Sequence, residues 1–96
     1  MLTGKQKRFL RSQAHHLNPI FQVGKGGVSE NLIKQVADAL EARELIKVSV
    51  LQNCEYDRDT VAEELASGAD AELVQIIGNV IVLYKESKEK KQIQLP

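Results

Sequence analysis

Cysteine, aromatic residues and long apolar runs are all scarce in this chain. A single cysteine, Cys54, stands among 96 residues, so an internal disulfide is excluded and a reducing cytoplasm is the expected location. The longest apolar run, residues 80–83, falls far below the roughly 18 residues that a membrane helix needs. The opening residues MLTGKQKRFLRSQ are charged and polar, unlike a secretory signal. We expect one domain over residues 1–96 and no membrane association.

The sequence has no group of residues with the types and spacing that a catalytic or metal-binding site requires. His15 and His16 are adjacent, and together with Cys54 they do not supply the several converging ligands of a metal site. A Cys–His nucleophilic pair needs a group that orients it, and the sequence offers none. The carboxylates of residues 57–64 stand where a helix begins, a position that favours acids for electrostatic reasons alone. The sequence therefore predicts no enzymatic activity, no metal and no cofactor.

Charge is distributed unevenly along the chain, although 13 basic and 13 acidic residues cancel. Residues 1–27 contain no carboxylate and five cations: Lys5, Lys7, Arg8, Arg11 and Lys25. Residues 28–84 contain four cations and eleven carboxylates, and residues 85–96 contain four lysines and two glutamates. This asymmetry indicates a basic end that meets a polyanion. The alternative is that the charges serve only solubility.

Hydrophobic periodicity predicts the order α-β-α-β-α-β-β. Thr3 and Gln6 fit a capping box for a helix to about Ala14, which pairs an apolar side with a cationic stripe. The further elements are a strand at 20–23, a helix from Ser29 to about Arg43, a strand at 45–50 with one buried face, a helix begun by Asp57, Asp59 or Thr60 and stopped by Gly68, and strands at 71–77 and 80–85. Thr60 with Glu63 fits a second capping box, and Gly78-Asn79 suits a two-residue hairpin turn.

These elements imply an α/β (α+β) domain with one four-stranded mixed sheet and helices packed on it. Phe9 and Phe21 are expected in its core. Residues 86–96 form a charged tail that we expect to be mobile at first, with Ile93 and Leu95 able to dock.

The stretch VGKGGVS, residues 23–29, has the strongest indication of a binding site. It follows a strand and precedes a helix that Ser29 can cap. Gly24 and Gly27 can adopt backbone angles closed to other residues and place no Cβ against an approaching molecule. The first turn of the following helix has unpaired N–H groups and the positive end of the helix dipole. The segment can therefore bind an anion with its backbone. As a bare pattern G-x-x-G is weak, since most such pairs only form turns; the P-loop and dinucleotide spacings are absent.

The chain resembles the CRM domain, the chloroplast RNA splicing and ribosome maturation domain, and in particular its bacterial single-domain YhbY-like members. The similar stretches are LTGKQKRFLRSQAHHLNPIFQVGKGGVSENLIKQVADALEARELIKV, VQIIGNVIVLYK and the ending IQLP. The resemblance implies a fold similar to the C-terminal domain of translation initiation factor three. It also implies RNA binding, which in bacterial members is associated with precursors of the large ribosomal subunit. The G-x-x-G loop of the family maps onto Gly24, Lys25, Gly26 and Gly27.

We therefore predict an RNA-binding protein, acting as a monomer on ribosomal RNA of the large-subunit precursor, with ribosomal proteins as further candidate partners. Its predicted contacts are Lys5, Lys7, Arg8, Arg11, His15, His16, Gly24, Lys25, Gly26 and Gly27, and Lys47 is a further candidate. Because the chain has only two phenylalanines and two tyrosines, recognition should rest on backbone and shape more than on bases. The alternative is a protein-interaction module whose acidic second and third helices bind a basic partner.

Overall fold

The computed structural model describes all 96 residues, in which four strands form one mixed sheet of order β1-β2-β4-β3. The elements in chain order are α1 (Gly4–Ala14), β1 (Pro19–Val23), α2 (Glu30–Arg43), β2 (Leu45–Val50), α3 (Arg58–Gly68), β3 (Glu72–Ile77) and β4 (Val80–Tyr84). Strand β1 pairs in parallel with β2, while β4 pairs antiparallel with both β2 and β3. The predicted α+β fold is confirmed. None of the three helices combines the length and the apolar character that crossing a membrane requires.

The sheet carries a hydrophobic core on each of its faces. Helices α2 and α3 cover one face, where Leu40 and Leu65 pack against Val48 and Ile81. Helix α1 crosses the other face, where Leu10 packs with the second core cluster. Because side chains alternate along a strand, consecutive residues of β2 and β4 enter opposite cores. The sheet therefore separates one helix from the other two.

The burial of strand β2 differs from what its sequence predicted. Its alternation predicted a single buried face, but residues on both faces are buried and only Lys47 keeps intermediate exposure. The reason is tertiary: β2 lies between β1 and β4 and has helices above and below it. Leu45 enters the α1 core while Ile46 enters the other.

The helix starts follow the polar side chains that precede them. Thr3 and Gln6 form the predicted capping box of α1, and Ser29 caps α2. Helix α3 is capped by Asp57, whose carboxylate accepts the Thr60 amide at 2.7 Å. The predicted Thr60–Glu63 capping box is therefore wrong, since Asp57 begins the helix three residues earlier.

Gly68 ends α3 as predicted, but the positive φ of 54° falls on Asp70 and not on the glycine. A Cβ on Gly68 would lie 2.6 Å from the Ile33 Cδ1 atom of α2. The glycine therefore permits the close approach of two helices on the same face of the sheet.

Two carboxylates hold the C-terminal tail against the domain, which corrects the expectation that the tail is mobile. Glu44 is fully buried and accepts the amides of Ser87, Gln92 and Ile93 at 2.8, 2.6 and 2.7 Å. Glu41 accepts the Ser87 hydroxyl and two further tail amides. Ile93 and Leu95 then pack on the α1 core, as predicted.

Hydrogen bonding keeps both of these carboxylates charged. Burial opposes charge on Glu44, but its three amide donors outweigh this effect and lower the pKa of its carboxyl. The Lys88 amide, the Ser87 hydroxyl and the Glu89 amide lower the pKa of Glu41 in the same way. Glu44 also has a positive φ of 67°, which non-glycine residues adopt at a cost. The clamp formed by Glu41 and Glu44 compensates this local strain.

Replacing Glu44 by Gln should loosen the tail, because the amides of Ser87, Gln92 and Ile93 would then face a neutral side chain. We expect the free energy of unfolding to fall by about 2 kcal/mol. Hydrogen exchange at the amides of Ser87, Gln92 and Ile93 should accelerate. Glu86→Gln is the matched control, since Glu86 is exposed and forms only a surface ion pair with Lys91. Equal amide protection in the two variants would contradict the clamp.

The clamp should also make stability depend on pH. Both carboxyls have a pKa below the ordinary value of 4.5 in the folded protein. Their stabilisation is therefore complete above about pH 4.5 and is lost as the pH falls through the folded pKa values. Urea unfolding between pH 7 and pH 3 should give a shallower loss of stability for Glu44→Gln than for the parent. Parallel curves would assign the pH dependence to other carboxyls.

Candidate nucleic-acid interface

The glycine loop, residues 24–27, is a tight turn that leaves amides free. The Gly27 N–H donates to the Gly24 carbonyl at 3.0 Å, which closes the turn. The amides of Lys25 and Gly26 donate to no acceptor in the chain, and both residues are exposed. Helix α2 begins three residues beyond the loop, with its own first-turn amides and positive dipole end nearby. The loop therefore presents donors that an anion can accept.

The three loop glycines have different structural requirements. Gly27 has φ 72°, and a Cβ there would meet the Tyr56 ring at 2.6 Å, so the fold itself requires this glycine. Gly24 has no positive φ and would place a Cβ in ordinary contact with Leu51 and Asn53, while Gly26 faces open space. The special backbone angle predicted for Gly24 and Gly27 is used only at Gly27. Gly24 and Gly26 are thus glycines that the fold does not need.

Helix α1 presents cations that no carboxylate neutralises. Lys5, Arg8 and Arg11 are exposed and Lys7 is partly exposed, and none of them forms an ion pair. The first turn of α1 holds no acid, whereas α2 and α3 begin with Glu30 and Asp59. Lysine at a helix start opposes the dipole by about 0.3–1 kcal/mol. Lys5 therefore opposes the dipole of α1, whereas Arg11 in the last turn agrees with it.

The glycine loop and α1 lie at opposite ends of β1. That strand has five residues and is roughly 16 Å long, and residues 15–18 join its start to the end of α1. Helix α1 packs over Leu45, Val74, Val82 and Tyr84, toward one end of the sheet. Lys47 pairs with Pro19 on the same face and keeps intermediate exposure. The predicted cations therefore do not form one compact patch; Lys47 lies between the two zones.

His15, His16 and Cys54 do not come together. His15 is the C-cap of α1, and the two exposed imidazoles lie edge to face with centroids 5.6 Å apart. They precede the amino end of β1, while Cys54 follows the carboxyl end of its parallel neighbour β2. The length of the sheet thus separates the thiol from both rings. No three His, Cys, Asp or Glu side chains converge on a common point that could hold a metal ion.

Acidic side chains concentrate on the other side of the sheet. Helices α2 and α3 carry five exposed carboxylates: Glu30, Asp38, Asp59, Glu63 and Glu64. Helix α1 carries none. Three exposed cations, Lys34, Arg43 and Arg58, lie on the same two helices, so α2 and α3 form an acidic layer with a small excess of negative charge, while α1 is basic throughout.

Tyr56 is the residue whose position the sequence did not reveal. Its ring lies against Gly27, and the residue is 52% exposed. The available signal was an aromatic residue inside the polar segment QNCEYD, residues 52–57, which belongs to no helix or strand.

These features define a class of protein: a small α/β domain with a glycine turn at the end of an edge strand and a basic helix at the other end. The chain belongs to the CRS1/YhbY (CRM) domain family, whose pattern matches residues 2–85. The resemblance in the sequence is thereby confirmed.

Similar proteins carry RNA binding in their names. The chain is 77% identical to the "Probable RNA-binding protein YqeI" of Bacillus subtilis over 100% of both chains. It is 40% identical to an "RNA-binding protein" of Haemophilus influenzae, over 99% of this chain and 95% of the relative. The solution structure of SAV1595 from Staphylococcus aureus, a candidate RNA-binding protein, superposes with a TM-score of 0.83 and 62% identity over 100% of both chains.

Replacing the three loop glycines by alanine should change the stability of the protein to different degrees. Gly27→Ala should lower the free energy of unfolding by about 1–3 kcal/mol, because it combines a positive φ with the clash against Tyr56. Gly24→Ala and Gly26→Ala should leave it within about 0.5 kcal/mol of the parent, since neither meets a steric obstacle. Urea denaturation of the three variants measures this. A Gly24→Ala variant as unstable as Gly27→Ala would contradict the described loop.

Proposed function

We propose that this protein binds ribosomal RNA of the large-subunit precursor through its glycine loop and basic helix α1, and acts in subunit assembly without catalysis. The observation that carries the proposal is the cationic surface of α1, whose lysines and arginines form no ion pair with any carboxylate. The names of the similar proteins support RNA as the ligand. The cytoplasmic location expected from the single cysteine stays a prediction.

The RNA backbone would meet this surface at two zones. In the first, phosphate oxygens would accept the amides of Lys25 and Gly26 while the Lys25 ammonium adds charge. In the second, Arg8, Arg11 and the lysines of α1 would contact further phosphates, with Lys47 between the zones. If five phosphates are neutralised, the log–log salt dependence of binding to single-stranded RNA should have a slope of about −3.5.

Separation of the two zones favours a folded RNA as the ligand. A strand that contacts both must span the length of β1, and a bent or looped RNA can present two stretches of backbone at that distance. Phosphate contacts position a nucleic acid but carry little sequence information. Selection of the site would therefore depend mainly on RNA shape.

The acidic layer supports the alternative function. The five exposed carboxylates on α2 and α3 could bind a basic protein, and ribosomal proteins are partners of that chemistry. Helix α1 and the acidic helices lie on opposite faces of the sheet, so RNA contact at α1 is compatible with a basic partner on α2 and α3.

Lys5→Glu offers a test in which stability and binding should change in opposite directions. A glutamate in the first turn of α1 should raise the free energy of unfolding by about 0.3–1 kcal/mol. The same change should weaken binding to large-subunit precursor RNA, because it replaces a phosphate contact by repulsion. Thermal unfolding and filter binding at moderate salt measure the two effects. Lys34→Glu on α2 is the matched control for charge, and it should leave RNA binding nearly unchanged.

The outcomes distinguish the parts of the proposal. Unchanged affinity in Lys5→Glu and in a Lys25→Glu, Arg8→Glu double variant would reject the basic interface. Equal binding to small-subunit RNA would leave RNA binding in place but remove the argument for large-subunit assembly. Loss of ribosomal-protein binding in Glu63→Lys, with RNA binding intact, would establish the alternative.

A further inference from the structure

Tyr56 occupies an unusual position beside the glycine loop. It lies in the segment between β2 and α3, and its side chain is 52% exposed, whereas Tyr84 is only 4% exposed. A Cβ placed on Gly27 would lie 2.6 Å from Cδ2 and 2.8 Å from Cε2 of the tyrosine. The ring therefore rests directly on the last glycine of the loop. Its hydroxyl makes no hydrogen bond with the rest of the chain.

A second apolar side chain borders the same loop. Leu51 is 37% exposed, and its Cδ1 atom would lie 3.8 Å from a Cβ on Gly24. The loop thus has exposed apolar surface at both its first and its last glycine, next to the free amides of Lys25 and Gly26. A residue that only covered the loop would be buried against it, whereas Tyr56 is 52% exposed.

The combination of a free aromatic ring and free amide donors matches the two halves of a nucleotide. Amides and the Lys25 ammonium suit the phosphate, while an aromatic ring suits the flat, apolar face of a base. The neighbours of Tyr56 in the chain, Glu55 and Asp57, are acidic and would repel a phosphate. The tyrosine is therefore placed for contact with the base.

We infer that Tyr56 stacks on an unpaired base of the RNA whose backbone lies on the glycine loop. This inference rests on the proposed function and deepens it by specifying the ligand: a nucleotide outside a duplex, since a paired base has both faces stacked on its neighbours. Stacking tolerates any base because each presents a π face. The site therefore selects unpaired RNA more than a particular sequence.

Tyr56→Trp provides a direct test, because the chain contains no tryptophan and the variant has a single indole. Stacking should quench its fluorescence when a short hairpin RNA with an unpaired loop binds. The same hairpin with abasic loop positions should bind through its backbone but leave the fluorescence largely unquenched. Equal quenching by the two RNAs would overturn the inference.

Affinity supplies the second measurement. Tyr56→Leu keeps an apolar cover on Gly27 but removes the ring, and it should weaken binding of the hairpin about tenfold. Tyr56→Phe should stay within about twofold of the parent, because the ring is retained and the hydroxyl has no partner. Thermal unfolding of each variant shows whether the fold is kept.

The two proposals can fail separately. If Tyr56→Leu folds and binds as tightly as Tyr56→Phe while Lys5→Glu weakens binding, stacking is rejected and the RNA interface stands. If the parent binds neither the hairpin nor its abasic form, both proposals are rejected. A tenfold loss in Tyr56→Leu that disappears with the abasic hairpin would establish the stacking contact.

Discussion

Burial of β2 on both faces is the constraint on which the rest of the molecule depends. As a central strand it sends Leu45 into one core and Ile46 and Val48 into the other, so it needs helices on both sides. That requirement divides the three helices between two layers. Because α1 is basic and α2 and α3 are acidic, the same division separates charge by the thickness of the sheet. A chain with no net charge thereby presents one helix, α1, that carries cations and no carboxylate.

Several residues of the proposed interface are ones that the fold does not require. The helix dipole favours acids at the start of α1, yet lysine is present there. Gly24 and Gly26 occupy positions where a larger residue would meet no obstacle. By contrast, Gly27 is required by its positive φ and Gly68 by close helix packing. Their presence is explained by the fold and does not indicate a binding role. The distinction between these two kinds of glycine depends on contacts and cannot be made from the letters alone.

The C-terminal tail is a charged segment that tertiary contacts hold against the domain. Residues 86–96 look like a solvated end in the sequence, because lysine and glutamate dominate them. In the fold, Glu44 at the end of α2 places a buried carboxylate where the tail amides pass, and hydrogen bonding offsets its desolvation. Ile93 and Leu95 can then cover α1. Partners more than forty residues apart in the chain make these bonds, so no local pattern predicts them.

The sequence by itself determined the order of helices and strands, the caps at Thr3 and Ser29 and the glycine turn, because each depends on residues a few positions apart. The mixed sheet followed from that order, since a strand–helix–strand connection favours parallel pairing and a hairpin requires antiparallel pairing. Resemblance to the CRM family also came from the sequence, and the match over residues 2–85 confirms it. Only the tertiary structure decided that β2 is buried twice, that α1 and the glycine loop lie at opposite ends of β1, and that Tyr56 rests on Gly27. The physical reason is that these relations join residues brought together by sheet pairing and helix packing, which one-dimensional periodicity does not encode.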